Sequence, residues 1–226
     1  MLAEQLALVR RRGHVGFTFS EWERRLEAGE LPRRSAVITF DDGYASTLNA
    51  VPVLRDAGFP GTVFPVLAFV ESGEALRWKG VEQWSDGPDS AHMKPLGWSD
   101  LEGLAGSGWE VGSHTVTHPH LPESDDRRLR SELEDSRQGF AKRLGSCETV
   151  CYTYGEADRR VAEAARSAGY LAGCTLTRFH LLDGPHLRPR ADLHAHDTGL
   201  RLRAKMSRAA FRARRSPALA RRMGAA

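Results

Sequence analysis

At 226 residues the chain is the size of one large domain rather than two. A hydrophobic content of 41% against 27% charged residues excludes a disordered chain, and no stretch approaches the ~20 apolar residues of a transmembrane helix. The net charge of +3 is too small to argue by itself for a polyanionic partner, although the last quarter of the chain is strongly basic.

Leu2, Leu6, Leu8 and Val9 fall on one side of a short helix that ends at Gly13. Ser20 is the expected N-cap of a second helix, with Trp22 and Leu26 following at helical spacing. The run 36–40 predicts a buried strand broken at Gly43, and 45–57 a helix carrying Leu48, Val51, Val53 and Leu54 that stops at Gly58. Residues 61–70, rich in Val and Phe, predict the next strand. Residues 71–95 are polar and tryptophan-bearing, which predicts a surface excursion of the kind that lines a site. A short helix over 100–105, capped by Ser99, precedes a third strand over 109–112. A long charged helix follows over 124–144, then a strand over 149–154, a helix over 158–167 and a strand over 170–176. A sixth strand is expected within 186–193 and a basic helix over 199–214.

This alternation predicts an α/β fold with parallel strands. Asp41, Asp42, His114 and Tyr154 all fall just after strands, at the carboxyl ends where parallel α/β folds gather ligands. Several strand ends aimed at one site favour a closed or nearly closed barrel over an open sheet. The expected division is N-terminal helices over 1–34 packed on the barrel, the barrel itself over 35–198, and a basic C-terminal helix and tail over 199–226.

The chemistry lies in two short stretches. In Thr39-Phe40-Asp41-Asp42-Gly43-Tyr44, two carboxylates sit where an apolar run meets a glycine turn. In Ser113-His114-Thr115-Val116-Thr117-His118, two imidazoles are four positions apart, and one helical turn between them would put both rings on one face. Two His and one Asp make a metal site, and the second Asp is left over to take a proton from water. The glutamate that zinc peptidases carry after the first His is missing, so the base has to come from the aspartate pair. Taken singly, each motif has a plain structural reading, adjacent aspartates being common in turns and spaced histidines common on surfaces.

Both stretches resemble the first two motifs of the polysaccharide deacetylases, the NodB-homology domain. Leu96-Gly97-Trp98 and Gly108-Trp109-Glu110-Val111-Gly112 extend the likeness, which covers roughly residues 35–176. The resemblance implies a distorted (β/α)7-type barrel and hydrolysis of N- or O-acetyl groups on sugars. It also implies a divalent metal, Zn2+ before Co2+, Ni2+ or Mn2+. Asp42, His114 and His118 would be ligands and Asp41 the base. Tyr154, within Tyr152-Thr153-Tyr154-Gly155, would give its backbone N–H to the oxyanion. Around its third motif the chain departs from the pattern in two places. Thr153 stands where proline is usual, and Cys151 where many members carry an arginine that pairs with the catalytic aspartate; Arg188 or Arg190 is the expected replacement. The histidine that protonates the leaving amine in this family has four candidates, His180, His186, His194 and His196.

Trp78 and Trp84, in the excursion, are candidates for stacking on sugar rings, or else they pin the loop to the core, and Arg188 is a further candidate for substrate contact. Arg201, Arg203, Lys205, Arg208, Arg212, Arg214 and Arg215, interleaved with Leu200, Leu202, Met206 and Phe211, read as a solvated helix face packed on the barrel. Peripheral membrane contact is the sharper alternative, and no nucleic-acid-reading motif accompanies the charge. Cys147, Cys151 and Cys174 have no disulfide or metal spacing and are expected as buried thiols. The N-terminus lacks the basic-then-apolar order of a signal peptide, so cytoplasmic residence is the expectation. The expected activity is removal of acetyl groups from a sugar or polysaccharide. A metal- or carbohydrate-binding homologue without turnover is the alternative. A non-haem iron oxygenase also uses two His and one carboxylate, but would leave Asp41 without a role.

Overall fold

The structure, a computed structural model, describes residues 1–88, 90–176 and 184–207. Helix α1 (Leu2–Arg11) buries Leu6, Leu8 and Val9 as its sequence requires. Strand β1 (Val15–Phe17) follows, so residues 1–34 hold a three-residue strand as well as helices, too short for any periodicity to announce. The N-cap of α2 (Phe19–Glu27) is Thr18, whose hydroxyl accepts the Glu21 N–H. Ser20 is already inside the first turn and gives its own N–H to Glu110.

The run expected as one strand at 36–40 is two, separated at Ile38. Strand β2 (Ser35–Val37) pairs with β1, and β3 (Thr39–Asp42) pairs with β4 (Thr62–Pro65). A 3-10 turn at Ala45–Asn49 leads into α3 (Ala50–Ala57), and Gly58 ends it at φ 73°. Strand β4 is shorter than the expected 61–70. After Pro65 the N–H groups of Leu67 and Ala68 turn away to the carbonyls of Thr115 and Val116, and α4 (Leu67–Ser72) begins. The excursion carries a short helix, α5 (Glu82–Ser85). Helix α6 (Trp98–Gly106) is capped by Gly97 with the Asp100 carboxylate on its N–H, not by Ser99.

Strand β5 (Glu110–Val111) lies beside β4, and a parallel bridge between Ser113 and Val150 carries the sheet on to β6 (Thr149–Cys151). Helix α7 (Asp126–Leu144) starts at an Asp125 cap and α8 (Arg159–Ser167) at an Asp158 cap. Strands β7 (Ala172–Leu176) and β8 (Arg188–Arg190) complete the order. The basic helix is described as α9 (Gly199–Lys205); Arg208, Phe211, Arg212, Arg214 and Arg215 lie outside the described residues.

With β2 and β3 taken as one extended segment, parallel strands occupy seven positions, and among the described residues the pairings between strands are all parallel. This is a distorted (β/α)7-type arrangement whose sheets are not closed. Between β8 and the first strands the described contacts are side chains: Arg188 forks onto Glu23 of α2, and Arg190 reaches β3. Leu54, Val63, Leu101, Leu133, Phe140, Val150 and Val161 are fully buried in the core between strands and helices, each contributing roughly 1.5–3 kcal/mol by leaving water. The three cysteines are buried and unpaired. No helix among the described residues is long and apolar enough to cross a membrane.

Candidate active site

Asp41 and Asp42 are the last two residues of β3, and the pleat sends successive side chains to opposite faces. Asp41 shares a face with Thr39, and Arg190 binds both. Asp42 bends away in a left-handed conformation, φ 68°, followed by Gly43 at φ 79°. A Cβ on Gly43 would lie 2.6 Å from Cβ of Pro65, so only glycine allows the turn to pack this close to β4.

The segment from His114 to His118 is a loop, not the helical turn that the four-residue spacing suggested. Thr115 and His118 have φ of 70° and 61°. Side chains take the backbone bonds that a helix would have made. Ser113 Oγ accepts the N–H of Thr115, and Thr115 Oγ1 accepts that of His118, both at 3.1 Å. Glu132 of α7 accepts the N–H groups of Val116 and Thr117, each at 2.9 Å, and the Thr117 hydroxyl. The loop nevertheless brings both imidazoles to Asp42. Nε2 of His114 lies 3.3 Å and Nε2 of His118 lies 3.4 Å from Asp42 Oδ1. His114 is oriented by its other nitrogen, which donates to the Cys151 carbonyl at 2.7 Å. Nδ1 of His118 is buried with no hydrogen-bond partner among the described residues. Ring contacts hold His118 instead, Trp78 stacked at 4.1 Å and Tyr154 edge-on at 4.7 Å.

Donor set and spacing suit one divalent ion. Around a tetrahedral ion with bonds of roughly 2.0–2.1 Å, neighbouring donor atoms lie about 3.3–3.4 Å apart. Burial raises the pKa of Asp42, but hydrogen bonds and charge from His114 and His118 outweigh it and hold the group well below the ordinary carboxylate range. Burial also lowers the pKa of His118, which favours the neutral ring with a lone pair to give. Asp41, His114 and Cys151 form a second group with close donor atoms. A guanidinium already occupies it: Arg190 bonds Asp41 through both oxygens at 2.8 Å, and its Nη2 lies 2.8 Å from Cys151 Sγ.

The cation beside Asp41 is therefore Arg190. Arg188, two residues earlier on the same strand, is bound to Glu23 and lies over Trp22, away from the aspartate pair. Burial would raise the pKa of Asp41, but the charge and hydrogen bonds of Arg190 lower it on balance. The side chain stays 36% exposed, so water reaches it.

Tyr154 ends the loop after β6 at φ 59°. Trp78 is committed to His118 on one face and meets Phe69 at an angle. Trp84 lies on α5 with 46% of its surface exposed. Of the four histidines considered as proton donors, His186 is tied to the Tyr170 carbonyl, His194 and His196 stack on each other, and His180 lies outside the described residues. Four residues around the site were not singled out from the sequence. Glu132 braces the histidine loop. His120 stacks on Tyr154 at 3.8 Å and bonds Glu156 at 3.1 Å. Tyr44 has its hydroxyl pKa pushed up to about 12 by burial and by Asp42. The His-Pro-His run at 118–120 was the one available signal.

Residues 28–173 match the family model described as polysaccharide deacetylase. A curated relative, YxkH of Bacillus subtilis (strain 168), whose name groups it with the polysaccharide deacetylases, is 26% identical over 166 residues. That match takes in 72% of this chain and 52% of the relative, so the chain spans about half the length of the curated relative it matches. Among solved structures, the Streptococcus pyogenes deacetylase PplD, in complex with acetate, superposes with a TM-score of 0.77 at 21% identity, covering 91% of this chain and 85% of that one. A de-N-acetylase from Aggregatibacter actinomycetemcomitans gives a TM-score of 0.73 at 15% identity, with 90% and 87% covered. These structural likenesses are of fold; the family model reaches across the segments that carry both aspartates and both histidines, and on it the chain belongs to the polysaccharide deacetylase family.

Proposed function

We propose that the chain is a metal-dependent hydrolase that removes acetyl groups, N-acetyl before O-acetyl, from a sugar or polysaccharide. The observation that carries this reading is the division of labour in the aspartate pair. Asp42 Oδ1 stands 3.3 and 3.4 Å from two imidazole nitrogens, while Asp41 is held back by a guanidinium. Asp42, His114 and His118 would hold the ion, Zn2+ before Co2+, Ni2+ or Mn2+. When bound, such an ion lowers the pKa of a coordinated water to about 7 and polarises the acetyl carbonyl.

The protein's own groups supply the rest. Asp41 is ionised at neutral pH because Arg190 lowers its pKa, and it is open enough to water to accept the proton of the attacking molecule at a carboxylate oxygen. A base of lowered pKa is a weak one. Its fixed position offsets that weakness, since the forked contact with Arg190 leaves the carboxylate little freedom to turn away. The Tyr154 backbone N–H would donate to the oxyanion of the tetrahedral intermediate, the role implied by the third motif. The substrate would be an acetylated carbohydrate. Trp84, still exposed, is the better remaining candidate for a sugar platform than Trp78, whose ring already packs on His118.

The test is acetate release from N-acetylated oligosaccharides by metal-stripped protein, before and after Zn2+ or Co2+ is returned, with calorimetric titration of the ion. The expected result is one ion per chain and activity only in its presence. Equal release with and without the ion, or none from any acetylated sugar, would sink the proposal.

A further inference from the structure

The histidine loop and the Tyr154 loop come from different strands, yet they are fastened together over a few residues. The Thr153 hydroxyl donates to the Pro119 carbonyl. The His120 ring lies flat on the Tyr154 ring, centroids 3.8 Å apart and planes within 4°. The Nδ1 edge of the same imidazole is 3.1 Å from Glu156 Oε2. One loop thus gives a carbonyl and a ring, and the other gives a hydroxyl, a ring and a carboxylate. Between the two fastened residues, Tyr154 has φ 59° and ψ 3°. A left-handed conformation costs a residue with a side chain about 1–3 kcal/mol and persists only where its surroundings impose it. Thr153 is fully buried, so water does not compete for its hydroxyl.

We infer that Thr153, His120 and Glu156 form a latch, a set of positioning residues that holds the Tyr154 backbone N–H in register with His114 and His118. The inference rests on the deacetylase reading, and it gives Thr153 a task. Proline, usual at that position in the resembling motif, fixes φ by its ring. Threonine leaves φ free, and the hydrogen bond to Pro119 supplies the restraint. Only Pro119 separates His120 from His118, whose ring also touches Tyr154. A shift of the Tyr154 loop would therefore move the oxyanion donor relative to the metal ligands. None of the three residues touches the reacting atoms; they act through Tyr154.

Thr153→Val and Thr153→Ser, His120→Ala and His120→Phe separate the contacts. Three quantities are read for each: zinc affinity by chelator competition, kcat and KM for acetate release, and the amide NMR signal and exchange rate of Tyr154 in metal-free protein. For Thr153→Val we expect kcat to fall about 10- to 100-fold, with KM and zinc affinity within about three-fold of wild type. The Tyr154 amide should shift and exchange faster even without metal. Thr153→Ser should restore all three readouts. His120→Phe, which keeps the stack and loses Glu156, should fall between wild type and His120→Ala. An unchanged Tyr154 amide in both Thr153→Val and His120→Ala would overturn the latch, as would zinc affinity falling in step with kcat. A wild-type chain that releases no acetate overturns the activity reading alone, because the amide signal of the metal-free protein still decides whether the latch exists.

Discussion

Each end of the strands holds a partly buried carboxylate, and the two ends treat it in opposite ways. Glu110 is the first residue of β5, in register with Thr62, the first residue of β4, and its side chain reaches Thr149, the first residue of β6. Its oxygens accept from the Thr149 hydroxyl at 2.6 Å, the Thr62 hydroxyl at 3.2 Å and the Ser20 N–H at 2.8 Å. Burial raises its pKa, and these neutral donors offset the rise only in part. At the opposite end Asp42 faces two imidazoles, and its pKa falls. Among the described residues, those other than glycine that are left-handed, Asp42, Thr115, His118 and Tyr154, all belong to that end as well. Strain of this kind costs about 1–3 kcal/mol per residue and gathers where function requires it. One end is arranged for stability, with donors matched to acceptors. The other keeps strained backbone and two imidazole nitrogens aimed at one carboxylate oxygen.

The largest effects should follow from separating the two aspartates. If Asp42 is the ligand proposed above, Asp42→Asn should abolish ion binding together with acetate release. Asp41→Asn should keep the ion and lose about 10²–10⁴-fold in kcat, the usual contribution of a positioned base. Calorimetry of ion binding beside acetate release decides the matter. Equal loss of ion binding in both variants would mean that the pair acts as a single ligand set, and the division of labour would be wrong.

How much of this end could be read in advance depends on what constrains it. Ion chemistry restricts residue types, so Asp42, His114 and His118 stood out although their strands are far apart in the chain. The conformation joining the two histidines did not. A spacing of four suggests a helical turn, but the loop's N–H groups are taken by Ser113, Thr115 and Glu132, the last of them 16 residues from Val116. Nothing local in the sequence announces that glutamate. Thr18 and Ser20 are both competent caps, and only the approach of Glu110 to the Ser20 N–H decides between them. Arg188 and Arg190 share a face of β8, about 6–7 Å apart along the strand. The register Leu176 with Arg190 puts only the second at the carboxyl end, and register is not a local property. The alternation of helices and strands, by contrast, is local and was largely legible, apart from a β1 only three residues long, an α4 whose apolar start read as the end of a strand, and the four-residue α5.

Arg190 is the next lever. In Arg190→Met the burial of Asp41 remains and the opposing cation is gone, so the carboxyl pKa rises. The acid limb of kcat/KM should therefore move to higher pH, with a loss of about 10- to 100-fold at neutral pH from the untethered base. The stability linked to Asp41 in the wild type is present above its unfolded pKa and is lost as pH falls through the lowered native value. In the variant that acid-side loss should shrink. With Asp41 36% exposed, the cost at neutral pH should stay below the roughly 3–5 kcal/mol of a fully buried broken pair. Arg190→Lys keeps the charge but not the fork, and should recover the position of the acid limb better than it recovers kcat. Thermal melts and pH–rate profiles of both variants check this. An acid limb that stays put in Arg190→Met would show that Asp41 does not set it.

The smallest effect should come from the quiet end. Glu110 has a raised native pKa, so wild-type stability should fall as pH rises from the ordinary glutamate value of about 4.3 through the higher native one. Glu110→Gln cannot ionise. Its carbonyl oxygen can still accept the Ser20 N–H, and its NH2 can donate to the Thr149 hydroxyl oxygen, at the cost of the acceptor that the buried Thr149 O–H had in the glutamate. The variant should lose that pH slope, cost no more than about 1–3 kcal/mol at neutral pH, the range for one buried donor left without its acceptor, and keep its zinc affinity and acetate release. Denaturant melts across the acid range test the first two expectations, and the activity assay tests the last. If Glu110→Gln weakens ion binding, the two carboxylates belong to one electrostatic system running the length of the strands, and the contrast between a stable end and a working end is false.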